Sequence, residues 1–416
     1  MKKLLIVEVI SRGAAFHPRY DIFSSHGYAL YYLTSSPSLA PYPFAGVRTA
    51  DSRDIEQLLA LAREWHQQER FDAIITNDET SVIATALIGE QLGLRGLSPE
   101  AARQSRNKLL MREAHRRHGA PHPPFAPCDT VEQALAFAQE IGYPVVIKPT
   151  LGGDSEHVYR VADAEQMRLR FGLAKAGNDK HSHRYFEAEG TDMGPHGMLV
   201  EAYLDGSEHC VEAVVRDGEV SLGSVADRLS IEMDTFDHDL YKTPSSLPAA
   251  SIAALKEAIR LGARAQGIEN AVLHAELRFH QGRPHIVEIA ARPGGGSLQF
   301  MAKLSYGYCP ITTALHIAQG SAPEAPALEP TGKVAVGLTM LCEGGTLAGI
   351  HIPDNLLDNP NIFNFRVLSL LGQTIVRPPH GNDIFGYIGT TGDSLEDALA
   401  TADHTFSQIK IALVPA

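Results

Sequence analysis

Residues 273–296 read LHAELRFHQGRPHIVEIAARPGGG, and the fold turns on how they pair. They predict two short strands joined by a turn at Gln281-Gly282-Arg283. In the first strand Leu273, Ala275, Leu277 and Phe279 alternate with His274, Glu276 and Arg278. In the second, Glu288 shares a face with Ile286, Ala290 and Arg292, because side chains alternate along a strand. A hairpin centred on Gly282 sets Glu276 directly across from Glu288. Like charges placed opposite one another on a sheet destabilise it. Either the two glutamates are solvated at the surface, or a hard cation offsets them. Mg²⁺ suits such a site, since it takes one or two carboxylates and completes its shell with water and phosphate. Arg292 leaves the second strand toward the same place, and the run Pro293 to Gly296 follows it.

Working outward, 416 residues exceed a single domain by the usual size prior. Hydrophobic residues at 44% and charged residues at 20% are ordinary globular values, with chain enough for a sizeable core. The net charge of −13 argues against a nucleic-acid partner. An anionic ligand would need local Lys, Arg or metal to overcome that field. No apolar run reaches membrane-spanning length, and Glu8 interrupts the opening MKKLLIVEVI, which reads as a buried strand rather than a leader. Cys128, Cys210, Cys309 and Cys342 lack zinc-motif spacing and read as reduced cysteines of a cytoplasmic protein.

Residues 1–97 alternate strand and helix, with strands over 3–10, 28–34 and 71–76 and helices over 51–68 and 80–92. This rhythm predicts a small parallel sheet. The first loop, Ser11-Arg12-Gly13, carries no dinucleotide fingerprint. Ser98-Pro99 opens a helix running to Gly119. After a proline-rich connector, a helix covers 132–141 and a strand 144–149 ends in Lys148. A glycine loop follows at 151–155, then a strand over 157–161 and a helix from about Ala164. Residues 178–194 read as a polar loop, 197–204 as a strand, and 209–226 as a hairpin turning at Asp217-Gly218. Residues 228–248 read as irregular and 249–267 as an amphipathic helix. Beyond a Pro/Ala linker at 319–330, strands at 333–341, 374–377 and 384–389 and a helix from Ser394 form a C-terminal α+β lobe.

Lys148 at a strand end, the loop Gly152 to Ser155, Glu201 on a strand, and Glu276 and Glu288 on the hairpin occur in that order. The chain thereby resembles the ATP-grasp superfamily, and within it the bacterial ATP-dependent L-amino acid (dipeptide) ligases, including those of peptide-antibiotic pathways. The resemblance implies an ATP-grasp fold in three parts: a Rossmann-like domain over 1–97, the ATP-grasp domain over 98–320 with a small lobe at about 120–200, and the lobe over 321–416.

It also implies roles. Lys108, Lys148, Gly152, Gly153 and Ser155 would contact the phosphates of ATP. Glu201, with the backbone of Ala202 and Leu204, would read adenine, and Glu208 the ribose. Glu276 and Glu288 would hold Mg²⁺, with Mn²⁺ as an alternative. Arg292, beside Gly295 and Gly296, would steady an acyl phosphate and its tetrahedral successor. The segment holding His238 and Tyr241 would meet the substrates. The chain departs from the family pattern in three places: Glu156-His157 replace the last loop glycine, Ala290 stands where an asparagine is usual, and Tyr241 where a histidine is usual. The sequence contains no GxSxG, HExxH or P-loop motif. That absence suits phosphoryl transfer, and the resemblance implies that C–N bond formation between two small amino-acid-like substrates follows it, in a homodimer. A phosphotransferase and a non-catalytic nucleotide-binding protein are the alternatives.

Overall fold

A computed structural model describes the chain except residues 10–15, 36–41, 52, 154, 187–190, 231–235, 237–238, 322–323, 378, 382 and 416; for 181–186 and 230 only the backbone is described. His238, Asp154 and the loop at 11–13 thus lie outside the described residues.

The front of the chain forms a four-stranded parallel sheet in the order Gly46–Thr49, Tyr28–Thr34, Lys2–Glu8, Ala73–Ile75. Leu4, Leu5, Ile6 and Val7 are all buried, as a parallel strand covered on both faces requires. The 3.6-residue stripe of the helix Ile55–Glu69 places Leu58, Ala62 and Trp65 in one of the two flanking cores.

The expected single helix over 98–119 is two, Pro99–Arg106 and Lys108–His118, with Asn107 extended between them. The Asn107 side chain accepts from Leu109 N and Leu110 N, capping the second helix, while its amide donates to Met193 O and Pro195 O. Asparagine is a favoured cap, so the break was available in the sequence.

A small antiparallel sheet follows in the order Phe125–Cys128, Met198–Ala202, Val145–Pro149, Tyr159–Val161. The helices Val131–Ile141 and Ala164–Phe186 close one face of it. The latter helix occupies the first half of the segment expected to be a polar loop at 178–194. That loop was inferred from polarity alone, and a polar helix face is equally polar.

The largest sheet has eight antiparallel strands: Arg283–Ala290, Ala271–His280, Glu208–Arg216, Glu219–Ser230, Leu240–Thr243, Val334–Met340, Gly386–Gly392 and Ile362–Val367. It runs unbroken from the hairpin into the C-terminal residues. Leu240–Thr243 lies in the stretch expected to be irregular. It pairs with strands on both sides, so its conformation is set by long-range pairing rather than local pattern. A fourth sheet, Thr374–Ile375, Gly345–His351, Lys410–Val414, completes that end.

One face of the large sheet is apolar. Leu273, Ala275, Leu277, Ile286 and Ile289 pack beneath Leu255, Ala258 and Ile259 of the helix Ala249–Ala265. Burying a side chain of that size contributes about 1.5–3 kcal/mol, and this anchors the sheet whose opposite face carries charge.

Candidate functional site

The hairpin that opened the reading pairs Glu276 with Glu288, by a route different from the expected one. The turn is the two residues Gln281 and Gly282, both at positive φ, with His280 opposite Arg283. This is the geometry of a type I′ hairpin turn. Continued without interruption, that register would set Glu276 across from Val287. A bulge shifts the register between Glu276 and Leu277, so that Leu277 faces Ile286 while Glu276 faces Glu288. Consequently Glu288 does not share a face with Ile286 as expected: Ile286 is in the core and Glu288 in a cleft.

That cleft is lined by Lys108, Lys148, Gly152, Gly153, Ser155, Glu201, Ala202, Leu204, Glu208, Tyr241, Glu276, Glu288, Arg292, Gly295 and Gly296. It thus gathers every site residue expected from the sequence apart from His238. The cleft lies between the small sheet and the polar face of the large one, with Glu79 of the front domain also on its wall.

Lys108 is not a solvated helix lysine. It is buried, and its Nζ lies 3.1 Å from Glu288 Oε2 and 3.2 Å from Gly152 O. It therefore joins the hairpin to the glycine loop. Lys148 Nζ lies 2.5 Å from Glu201 Oε2, and Arg112 Nε donates to Glu201 Oε1 at 2.6 Å. Phosphates were the partner expected for Lys148; the structure adds a buried carboxylate that already pairs it. Burial lowers the Lys148 pKa, and the Arg112 charge adds to that; the Glu201 charge opposes them, leaving it at about 8. The Glu201 carboxylate is held below its usual range, because Arg112 and Lys148 outweigh burial. Ala202 N donates to Pro124 O, which ties the adjoining segment to the proline-rich connector.

Glu208 is buried and ion-paired with Arg228 at 2.7 Å, with Arg278 Nε 3.7 Å away. Arg228 also reaches Asp239 at 2.6 Å and stands over the Tyr241 ring. Arg292 Nε donates to Glu79 Oε2 at 2.5 Å, and Arg106 lies 3.6 Å from the other oxygen of Glu79. Burial would lower the Arg292 pKa, but Glu79 raises it beyond its ordinary value.

Beside the two facing glutamates stands a pair that the sequence reading passed over. His274 Nδ1 is 2.8 Å from Glu212 Oε1, and its Nε2 is 3.5 Å from Glu276 Oε1. Burial alone would lower the His274 pKa; hydrogen bonds to Glu212 and Glu276 and their charges raise it to about 9. In turn His274, Arg228 and Lys108 outweigh the effect of burial and bring Glu276 to about 2. The Gly294 N–H donates to Glu212 Oε2 at 3.0 Å. A Cβ at Gly294 would collide with that carboxylate and come within 2.9 Å of His274 Nδ1, so this glycine is required by close approach. Alternation had already put His274 and Glu276 on one face, which was the available signal. Glu79 and Arg112 come from distant elements and left none.

Two facing carboxylates joined to a lysine, a second buried lysine and a glycine loop share one cleft, and the chain carries an ATP-grasp domain. Residues 141–300 match the ATP-grasp domain model. Residues 338–414 match the L-amino acid ligase C-terminal domain 2. It is 27% identical over 315 residues to carnosine synthase 1 of Gallus gallus, covering 72% of this chain and 33% of that protein. It is 28% identical over 254 residues to the alanine–anticapsin ligase of Bacillus subtilis (strain 168), covering 59% of this chain and 52% of that one. The chain therefore spans about a third to a half of the length of these relatives. The crystal structure of an L-amino acid ligase from Bacillus licheniformis superimposes with a TM-score of 0.84 at 22% identity, covering 100% of this chain and 99% of that one. Among the described residues no helix is long and apolar enough to cross a membrane.

Proposed function

We propose that the chain is an ATP-dependent carboxylate–amine ligase that joins two amino-acid-like substrates through an acyl phosphate, releasing ADP and phosphate. The observation that carries this reading is Glu276 facing Glu288 in a cleft that also holds Lys108 and Lys148. Among the described residues the site is rich in fixed cations and offers no activated nucleophile, which suits phosphoryl transfer by positioning and charge stabilisation.

Glu276 and Glu288 fit Mg²⁺, or Mn²⁺ in its place: both are hard oxygen donors opposed across two strands, and Ala290 adds no third donor. Bound there, the cation supplies charge neutralisation at the phosphate oxygens. Lys108 and Lys148 lie where the same phosphates would pass under the loop Gly152, Gly153 and Ser155. Glu201, already held by Arg112 and Lys148, orients the segment whose Ala202 and Leu204 would meet adenine, and Glu208 would meet the ribose. A substrate carboxylate attacks the γ-phosphate; the second substrate's amine attacks the acyl carbon, and phosphate departs. Arg292, aimed by Glu79, and the backbone of Gly295 and Gly296 would hold the developing oxyanion. His238 and Tyr241 belong to the segment proposed to meet the substrates.

We further propose the divisions 1–97, 98–320 and 321–416 as functional units, a homodimer as the assembly, and the cytoplasm as the location. Hydroxylamine trapping tests the acyl phosphate. With Mg-ATP and an amino-acid mixture it should yield a hydroxamate whose formation requires ATP. ATP turnover without hydroxamate or amide would refute the ligase reading in favour of a phosphotransferase.

A further inference from the structure

Cys210, His274 and Glu276 each present one ligand atom to a common point, all within 4.8 Å of one another. They lie on adjacent strands, with Cys210 paired to Glu276 across the sheet. We propose that these three side chains form a binding site for a thiophilic divalent cation, Zn²⁺ in kind, distinct in chemistry from the Mg²⁺ site but sharing Glu276 with it.

Three observations support this. The first is the donor set. A thiolate, an imidazole and a carboxylate are Zn²⁺ ligands, whereas Mg²⁺ does not take sulfur. Three protein ligands leave a fourth position for water, as in open tetrahedral sites. The second is spacing. Bonds of about 2.0–2.3 Å at tetrahedral angles place ligand atoms roughly 3.3–3.6 Å apart, and His274 Nε2 is 3.5 Å from Glu276 Oε1. The third is orientation. His274 gives its Nδ1 to Glu212, itself held by Gly294 N–H, which turns Nε2 toward Cys210 and Glu276. A carboxylate behind the imidazole is the usual support of a metal-bound histidine. Both Cys210 and His274 are buried, so their rotamers are fixed by packing.

Binding displaces the proton on Cys210 Sγ and any proton on His274 Nε2 to solvent, with no change of redox state. Zn²⁺ seated there takes Glu276 away from Mg²⁺, so the site acts as a brake on Mg-ATP chemistry. Only that last consequence rests on the ligase reading; the site itself does not.

The test is Co²⁺ titration of the full chain without nucleotide. One equivalent should give a thiolate-to-cobalt charge-transfer band, bleached by Zn²⁺. Cys210→Ser should abolish the band, while Cys128→Ser, Cys309→Ser and Cys342→Ser should keep it. Glu212→Gln should weaken Co²⁺ binding about 10–100-fold. A band that survives Cys210→Ser overturns the proposal. So does the absence of any thiolate band in the unmodified chain, a readout that needs no variant to fold.

Discussion

Replacing Arg112 with Met probes the buried network that holds the cleft together. Arg112 is fully buried and donates to both Glu201 oxygens, at 2.6 and 3.4 Å, and to Val287 O at 2.7 Å. Methionine fills most of the vacated volume, so the loss is electrostatic. Glu201 keeps Lys148 as its partner, yet a buried carboxylate balanced until now by two cations retains one, and the Val287 carbonyl loses its donor. Removing one partner of a buried pair costs about 3–5 kcal/mol. For a cooperative unit of 150–250 residues each kcal/mol shifts the melting midpoint by about 2–4 °C, so a fall of roughly 10 °C is expected. The assay is thermal unfolding of wild type, Arg112→Met, Glu201→Gln and the double variant. Because the double variant also strips buried Lys148 of its carboxylate, it should melt no higher than Arg112→Met. A single variant within about a degree of wild type, or a double variant melting clearly above the single, would refute this account of the network.

Other outcomes follow from the same contacts. Glu288→Gln removes both a proposed metal donor and the partner of Lys108; Mg-ATP-dependent turnover should fall by more than a hundredfold with an unchanged far-UV spectrum, and wild-type turnover would contradict the metal assignment. Glu8 is buried beside Tyr20 and Tyr32, and burial raises its pKa from 4.5 to about 7 against their hydrogen bonds. The folded state thus holds that proton more tightly, so this stabilisation is full below about pH 4.5 and is lost as the pH rises to 7, about 3 kcal/mol at most. Glu8→Gln should therefore leave stability at pH 5 nearly unchanged and raise it at pH 8, as read from denaturant midpoints; an equal gain at both values would contradict the shift. Gly294→Ala should push Glu212 off His274 and lower kcat with a smaller change in KM for ATP, and unaltered kinetics would show that the close approach is without consequence.

Much of the site was legible because it lies on strands, where alternation fixes the face of each side chain. His274, Glu276 and Arg278 could be assigned to one face without coordinates, as could the apolar set that packs under Leu255 and Ile259. The pairing of Glu276 with Glu288 was reached from a turn centred one half-residue away from the actual one, and the bulge at Val287 made up the difference. Bulges depend on backbone twist and on the neighbouring strand, neither of which is written locally. The same holds for Leu240–Thr243, whose pairing partners at 335–338 lie about ninety residues onward, and for the join between the large sheet and the C-terminal strands. Arg112 and Glu79 were missed because each acts at a distance from its partner in sequence, Glu201 and Arg292. The break at Asn107, which sets Lys108 at the start of its own helix, was missed because the helix was read as continuous.

The most direct test of the central claim is product analysis. The chain is incubated with Mg-ATP and amino-acid mixtures, and ADP, phosphate and new amide masses are followed together. The account predicts that ADP and phosphate appear in equal amounts, that their release requires both a carboxylate and an amine, and that an amide of the summed mass less water appears with them. Accumulation of a stable phosphorylated product, or ATP turnover indifferent to the amine with no new amide, would contradict it.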